Sequence, residues 1–143
     1  MKYQANKGSE QILFGKDSIV IQKYNSGLAG GRTLNTEDFP LSVIPAGTVI
    51  IKQTVGSDIQ YSPMPVVANE SATTDLKYNY GTLPSGAAYA GMLYRSIAKN
   101  DGQASIMIDG VVNEEVLPIA LGNIKSAFLA AVSQIILVKD EIA

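Results

Sequence analysis

Cysteine, histidine and tryptophan are all missing from the chain. Without Cys and His there is no thiolate or imidazole chemistry, no disulfide staple, and none of the side chains that most often hold zinc or copper. The missing thiols also leave the redox compartment unreadable. Basic charge is scarce as well: the net charge is -2 and the pI is near 5.0, so the main source of affinity for phosphates is lacking and nucleic acid is not an expected partner. The longest uncharged stretch near the C-terminus, Ser126 to Val138, is shorter than the about 18–20 apolar residues a spanning helix needs, and reads as buried core. No membrane partner is expected. The start, Met1 to Gly8, has no apolar run behind Lys2, so synthesis in a cytoplasm without a secretory leader is the default expectation.

The residues that are present suit a folded domain. A chain of 143 residues with 46% hydrophobic and 17% charged content is neither a disordered tail nor a polyelectrolyte, and is the size of one compact unit. Residues 1–17 are mixed and polar, with Ile12-Leu13-Phe14 as their one apolar patch. This segment reads as an N-terminal arm that orders on a partner, followed by a single β-rich domain over 18–143.

Within that domain, Ser18 to Tyr24 is rich in β-branched residues and predicts a strand ended by Asn25-Ser26-Gly27. Leu28 to Leu34 contains Gly30-Gly31 but lacks the spaced glycines and Gly-Lys-Ser/Thr of a phosphate loop, so a plain loop is expected. Pro45-Ala46-Gly47-Thr48 forms a turn into the strand Val49 to Thr54. Val55-Gly56-Ser57-Asp58 turns the chain back into Ile59-Gln60-Tyr61, and Pro63 and Pro65 confine Ser62 to Val67 to an edge or loop. Ala68 to Gly81 has no clear period and predicts a surface excursion.

Two apolar runs, Ala90 to Ile97 and Gln103 to Ile108, flank Lys99-Asn100-Asp101-Gly102 and predict a hairpin, with Asp109-Gly110 closing its second strand. Asn113 with Glu114 and Glu115 resembles a helix start, since the Asn side chain caps free amides and carboxylates favour the positive end of the dipole. Leu117, Leu121, Ile124, Phe128 and Val132 recur at helical spacing. Pro118 is tolerated only in a first turn, so the helix is expected to begin there after a separate short turn. Ile135 to Val138 predicts a last strand. The fold class is therefore mainly β with one C-terminal helix, a small mixed β domain.

No chemistry-bearing constellation emerges. The carboxylates fall mainly in predicted turns and helix ends, Glu114 and Glu115 diverge by about 100° on a helix, and no Ser–Lys spacing nominates a nucleophile and base. The expectation is a non-enzymatic protein with no cofactor, no metal and no catalytic residue. Seven tyrosines without interleaved cations read as core or contact residues rather than a stacking platform for single strands. Tyr78 and Tyr80 are candidate subunit contacts. Arg95, placed by two-residue alternation on one strand face with Leu93 and Ile97, is a third.

The order of segments adds a resemblance. Ile44-Pro45-Ala46-Gly47-Thr48-Val49-Ile50, the Tyr61-Ser62-Pro63 return, Ser85-Gly86-Ala87-Ala88-Tyr89-Ala90-Gly91-Met92-Leu93, then the Asp109-Gly110 turn, Glu114 to Pro118 and the closing helix and strand to Val138 together resemble the lambda-type bacteriophage head decoration family. That resemblance implies a β-tulip domain that associates as a homo-oligomer, a trimer being favoured, on the outer surface of the virion, where it binds the major capsid protein and stabilises the shell. It implies no catalytic residue. The segment before Ile44 and the stretch from Ala68 to Gly81 depart from the family pattern, and allow a related role as a head-fibre base. Ile12, Leu13 and Phe14 are the candidate capsid contacts, since an arm can add a strand or an apolar plug to a shell subunit as it orders. A reading of a different class is a non-viral β-domain that binds a peptide or glycan with tyrosines between Tyr78 and Tyr94.

Overall fold

The computed structural model describes residues 17–28, 31–72, 74, 76–101 and 103–139. Ile12, Leu13 and Phe14, with the rest of the arm up to residue 16, lie outside the described residues. The protein is mainly β with a single short helix near the C-terminus.

One sheet organises the chain. Its strands are β1 (Ile21–Gly27), β4 (Val49–Val55), β5 (Asp58–Pro63), β8 (Ala87–Leu93), β11 (Ile106–Asn113) and β12 (Ile135–Val138), in the order β1-β11-β8-β4-β5 with β12 pairing β11. Among the described residues three two-stranded ribbons accompany it: β2 (Arg32–Thr33) with β10 (Gln103–Ala104), β3 (Val43–Ile44) with β9 (Ile97–Ala98), and β6 (Val66–Ala68) with β7 (Tyr78–Tyr80). β12 is parallel to β11, Gly110 facing Ile135 and Asn113 facing Val138. Parallel neighbours need a crossover connection, and the helix α2 (Lys125–Ala131) supplies it.

At its centre the sheet is buried on both faces, which explains why Val49-Ile50-Ile51 runs apolar without alternation. Val49, Ile51, Met92 and Met107 point to the larger core, roofed by Tyr80, Leu117, Leu121, Ile124, Phe128 and Val132. Ile50, Leu93 and Ile106 point the other way, onto Leu34, Phe39, Ile44 and Ala104. The predicted apolar stripe is thus the roof of the larger core. Phe128 is fully buried and meets the Tyr89 ring edge-on, centroids 5.7 Å apart.

The turn before β4 is closed by the Thr48 amide and hydroxyl, which both donate to the Pro45 carbonyl, at 3.2 and 2.7 Å. Gly47 takes φ +93 there, and a Cβ on it would fall 2.8 Å from Val20 Cγ1. Only glycine meets both demands. The β4–β5 hairpin forms around the expected turn, with Gln53 opposite Gln60 and Val55 opposite Asp58.

Several expectations are corrected. Ser18 to Tyr24 is not one strand: a single helical turn, α1 (Asp17–Val20), precedes β1. Val20 and Ile21 are both buried, and two consecutive side chains face the same core more readily across a helix–strand junction than along a strand, where they alternate. β1 also continues through Asn25-Ser26-Gly27 instead of ending before them. Ala68 to Gly81 is not a bare excursion, because β7 folds back on β6 and Leu76, Tyr78 and Tyr80 pack on the larger core.

The hairpin between Ala90 and Ile108 is real only at its base, where Leu93 pairs Ile106 and Met92 pairs Met107. Beyond it the two arms part to pair β3 and β2, so Lys99 to Asp101 tips a longer excursion. Asp109-Gly110 is not a turn but the middle of β11. Gly110 lies opposite both Tyr24 and Ile135, and a Cβ on it would fall 2.3 Å from the Lys23 carbonyl; its glycine serves close strand approach.

The helix starts later than Pro118. Asn113 does cap a turn, accepting the Glu115 amide at 3.0 Å, but that 3-10 turn stops at Val116. A second 3-10 turn follows (Gly122–Ile124), in which Gly122 takes φ +50, and only then does α2 begin. A left-handed glycine cannot continue an α-helix from Pro118.

Candidate interaction site

The sequence candidates separate in the structure. Tyr80 is 2% exposed, and its hydroxyl accepts the Val49 amide at 3.0 Å. It is therefore a core residue, not a subunit contact. Burial pushes its hydroxyl above the ordinary pKa of 10.0, an effect the bond from Val49 partly offsets. Tyr78, two residues earlier in β7, is half-buried against the larger core. Tyr80, being inside, contributes nothing to a surface platform of the tyrosines from Tyr78 to Tyr94.

Arg95 is exposed but lies in a bend after β8, so it does not share a strand face with Leu93 and Ile97. Leu93 is fully buried. The Arg95 guanidinium lies over the Tyr94 ring, 5.0 Å from its centroid, and Tyr94 in turn packs against Tyr24 at 4.4 Å between centroids. Tyr24, Tyr94 and Arg95 thus form one stacked surface cluster from β1 and the β8 bend. Tyrosine and arginine are the residues that most often carry binding energy at interfaces. Nothing in the local sequence pairs Tyr24 with Tyr94, since β1 and β8 are brought near each other only across β11.

The β5 and β1 edges of the sheet are guarded against pairing. On β5 the Tyr61 carbonyl already accepts the Asn35 amide at 2.8 Å, Leu34 bridges Tyr61, and Pro63 has no amide to give. On β1 the register with β11 slips at three places, and Lys23 is exposed on the strand. Bulges, lysine and proline are the devices that stop strands adding to an edge. Association through these edges is therefore disfavoured, and side-chain surfaces remain. Besides the Tyr24 cluster, the far end of the β4–β5 hairpin presents exposed Val55 and Ile59, 49% and 59% accessible.

Near the cap Lys125 Nζ pairs with Glu114 Oε2 at 2.7 Å, joining α2 to the first 3-10 turn. Glu114 is thus engaged with a cation, while the neighbouring Glu115 offers its amide to Asn113. Among the described residues no three Asp or Glu side chains gather as a metal site, and no helix is long and apolar enough to cross a membrane.

Comparison with protein-family models, with curated proteins and with solved structures yields no match to this chain.

Proposed function

We propose that this protein is a non-enzymatic virion component that binds the outside of a tailed-phage capsid, through the major capsid protein, and stabilises the shell. The observation that carries the reading is the order of sequence segments from Ile44 to Val138, from Ile44 to Ile50 through the Tyr61-Ser62-Pro63 return and Ser85 to Leu93 to Glu114 to Pro118 and the closing run to Val138, which resembles that of the decoration family, although Asp109-Gly110 lies within β11 and is not a turn. Apart from β1 and Tyr80, these segments supply the strands of the sheet and the roof over its larger core. The protein is made in the host cytoplasm and acts as a homo-oligomer, a trimer being favoured.

A decorating subunit gains its effect by repetition. Many modest contacts add up across a lattice, and linked binding raises effective concentration. The guarded β1 and β5 edges direct subunit contacts toward side chains, and the Tyr24–Tyr94–Arg95 cluster replaces Tyr80 as the candidate subunit contact. The arm with Ile12, Leu13 and Phe14 is the candidate capsid contact.

The test is co-sedimentation of the purified protein with expanded, undecorated phage heads. Saturable binding that makes the heads more resistant to chelator is expected. Failure to associate with any capsid shell overturns the reading. Replacing Ile12, Leu13 and Phe14 by Ser is expected to weaken head binding at least tenfold with an unchanged circular dichroism spectrum.

A further inference from the structure

A cleft of about 430 Å³ opens beside the β4–β5 hairpin. Its floor is one face of that ribbon: Gln53 and Gln60 are directly opposite each other, and Ile51 and Ser62 form the next pair on the same face. The segment from Asn35 to Phe39 makes one wall, and prolines 63, 65 and 84 contribute to the lining with Met64 and Val66.

The walls are fixed before any ligand arrives. Asn35 is tied to Tyr61 through its amide, Phe39 is sunk in the smaller core at 4% exposure, the Met64 amide donates to the Val49 carbonyl at 2.8 Å, and the Gly81 amide donates to the Pro65 carbonyl at 2.8 Å. Proline adds backbone rigidity. A preformed site loses little entropy on binding.

The polar groups inside are only partly used. Asn35 donates its side-chain amide to Gln60 Oε1 at 3.3 Å, which leaves the Gln60 amino group as a donor. The half-buried side chains of Gln53 and Ser62 and the exposed carboxylate of Asp38 make no hydrogen bond or ion pair among the described residues. Carboxamides carry a donor and an acceptor in one plane and so match a peptide group two bonds at a time. A lining with one carboxylate and no cation disfavours phosphate and other anions and favours a positive charge, the nearby Lys99 ammonium being engaged by the Phe39 carbonyl at 2.6 Å. A sugar ring is disfavoured because the one aromatic residue in the lining, Phe39, is buried and offers no open face for stacking.

We propose that this cleft binds an extended peptide segment carrying a lysine or arginine. Gln53 and Gln60 bond the peptide main chain, and Asp38 pairs with the basic side chain. The proposal does not depend on the capsid reading, and each stands or falls alone.

The test is nuclear magnetic resonance of the isotope-labelled full chain, following the side-chain amide signals of Gln53 and Gln60. The probes are acetyl-Ala-Lys-Ala-amide, its Ala-Glu-Ala counterpart, and maltotriose. Saturating shifts with the lysyl peptide are expected, with at least fivefold weaker binding of the glutamyl peptide, and Asp38→Asn is expected to abolish that preference. Three outcomes overturn the proposal: no saturating shift with the lysyl peptide, equal binding of the glutamyl peptide, or tighter binding of maltotriose.

Discussion

The hydroxyl of Tyr80, on the β6–β7 ribbon, accepts the amide of Val49 at the start of the central strand β4, at 3.0 Å and out of reach of solvent. One bond therefore pins a ribbon to the main sheet. Removing it leaves a buried amide unsatisfied, which costs about 1–3 kcal/mol. Tyr80→Phe is expected to lower stability in urea denaturation by that amount, and Tyr80→Ala, which also opens a cavity, by about 3–5 kcal/mol.

The same residue predicts alkaline sensitivity. Its folded pKa is raised, chiefly by desolvation, so the folded state holds this proton where the unfolded chain releases it. The associated stability is complete below the unfolded value of about 10 and is lost as pH rises beyond it. Denaturation midpoints measured from pH 9 to 11 are expected to fall more steeply for the natural chain than for Tyr80→Phe.

Two glycines with different demands give a contrast. At Gly110 a Cβ would collide with the Lys23 carbonyl at 2.3 Å, whereas at Gly56, in the hairpin turn, φ is +66 with nothing within 4 Å. Gly56→Ala is expected to cost only the left-handed backbone penalty of about 1–2 kcal/mol. Gly110→Ala must displace β1 from β11 and is expected to cost clearly more. Thermal unfolding of the two variants side by side checks the order.

Asn113 is fully buried and caps the 3-10 turn through the Glu115 amide. Asn113→Ala is expected to cost about 0.5–2 kcal/mol, and Asn113→Asp at least as much at neutral pH, because it puts a charged carboxylate in a fully buried place beside Glu114 and Glu115. Urea midpoints distinguish them.

The Glu114–Lys125 pair is short at 2.7 Å, but Lys125 is 43% exposed. A double-mutant cycle with Glu114→Gln and Lys125→Met is expected to give at most about 1 kcal/mol of coupling, decreasing with added salt.

The sequence by itself determined the features that local chemistry controls. Pro45 to Thr48 makes its turn because proline and a left-handed glycine leave few alternatives. Val49 to Tyr61 makes its hairpin through β-branched runs around Val55-Gly56-Ser57-Asp58, Asn113 caps because its side chain reaches a free amide, and Leu117 to Val132 are apolar where a roof is needed. The mainly β class followed from these pieces. Only the tertiary structure decided how glycine and tyrosine were used, since their local signals are ambiguous: Asp109-Gly110 suits a turn equally well, until β1 and β12 both come to lie beside it. Tyr80 in a polar stretch read as surface, and burial depended on a β-ribbon partner, β6, and on an amide of β4 distant in sequence. Tyr24, Tyr94 and Arg95 met across β11, and the cleft formed where the Asn35 to Phe39 segment came to rest beside Gln53 and Gln60. Such juxtapositions follow from strand order, which depends on long-range packing against two cores and leaves no mark within any short window of sequence.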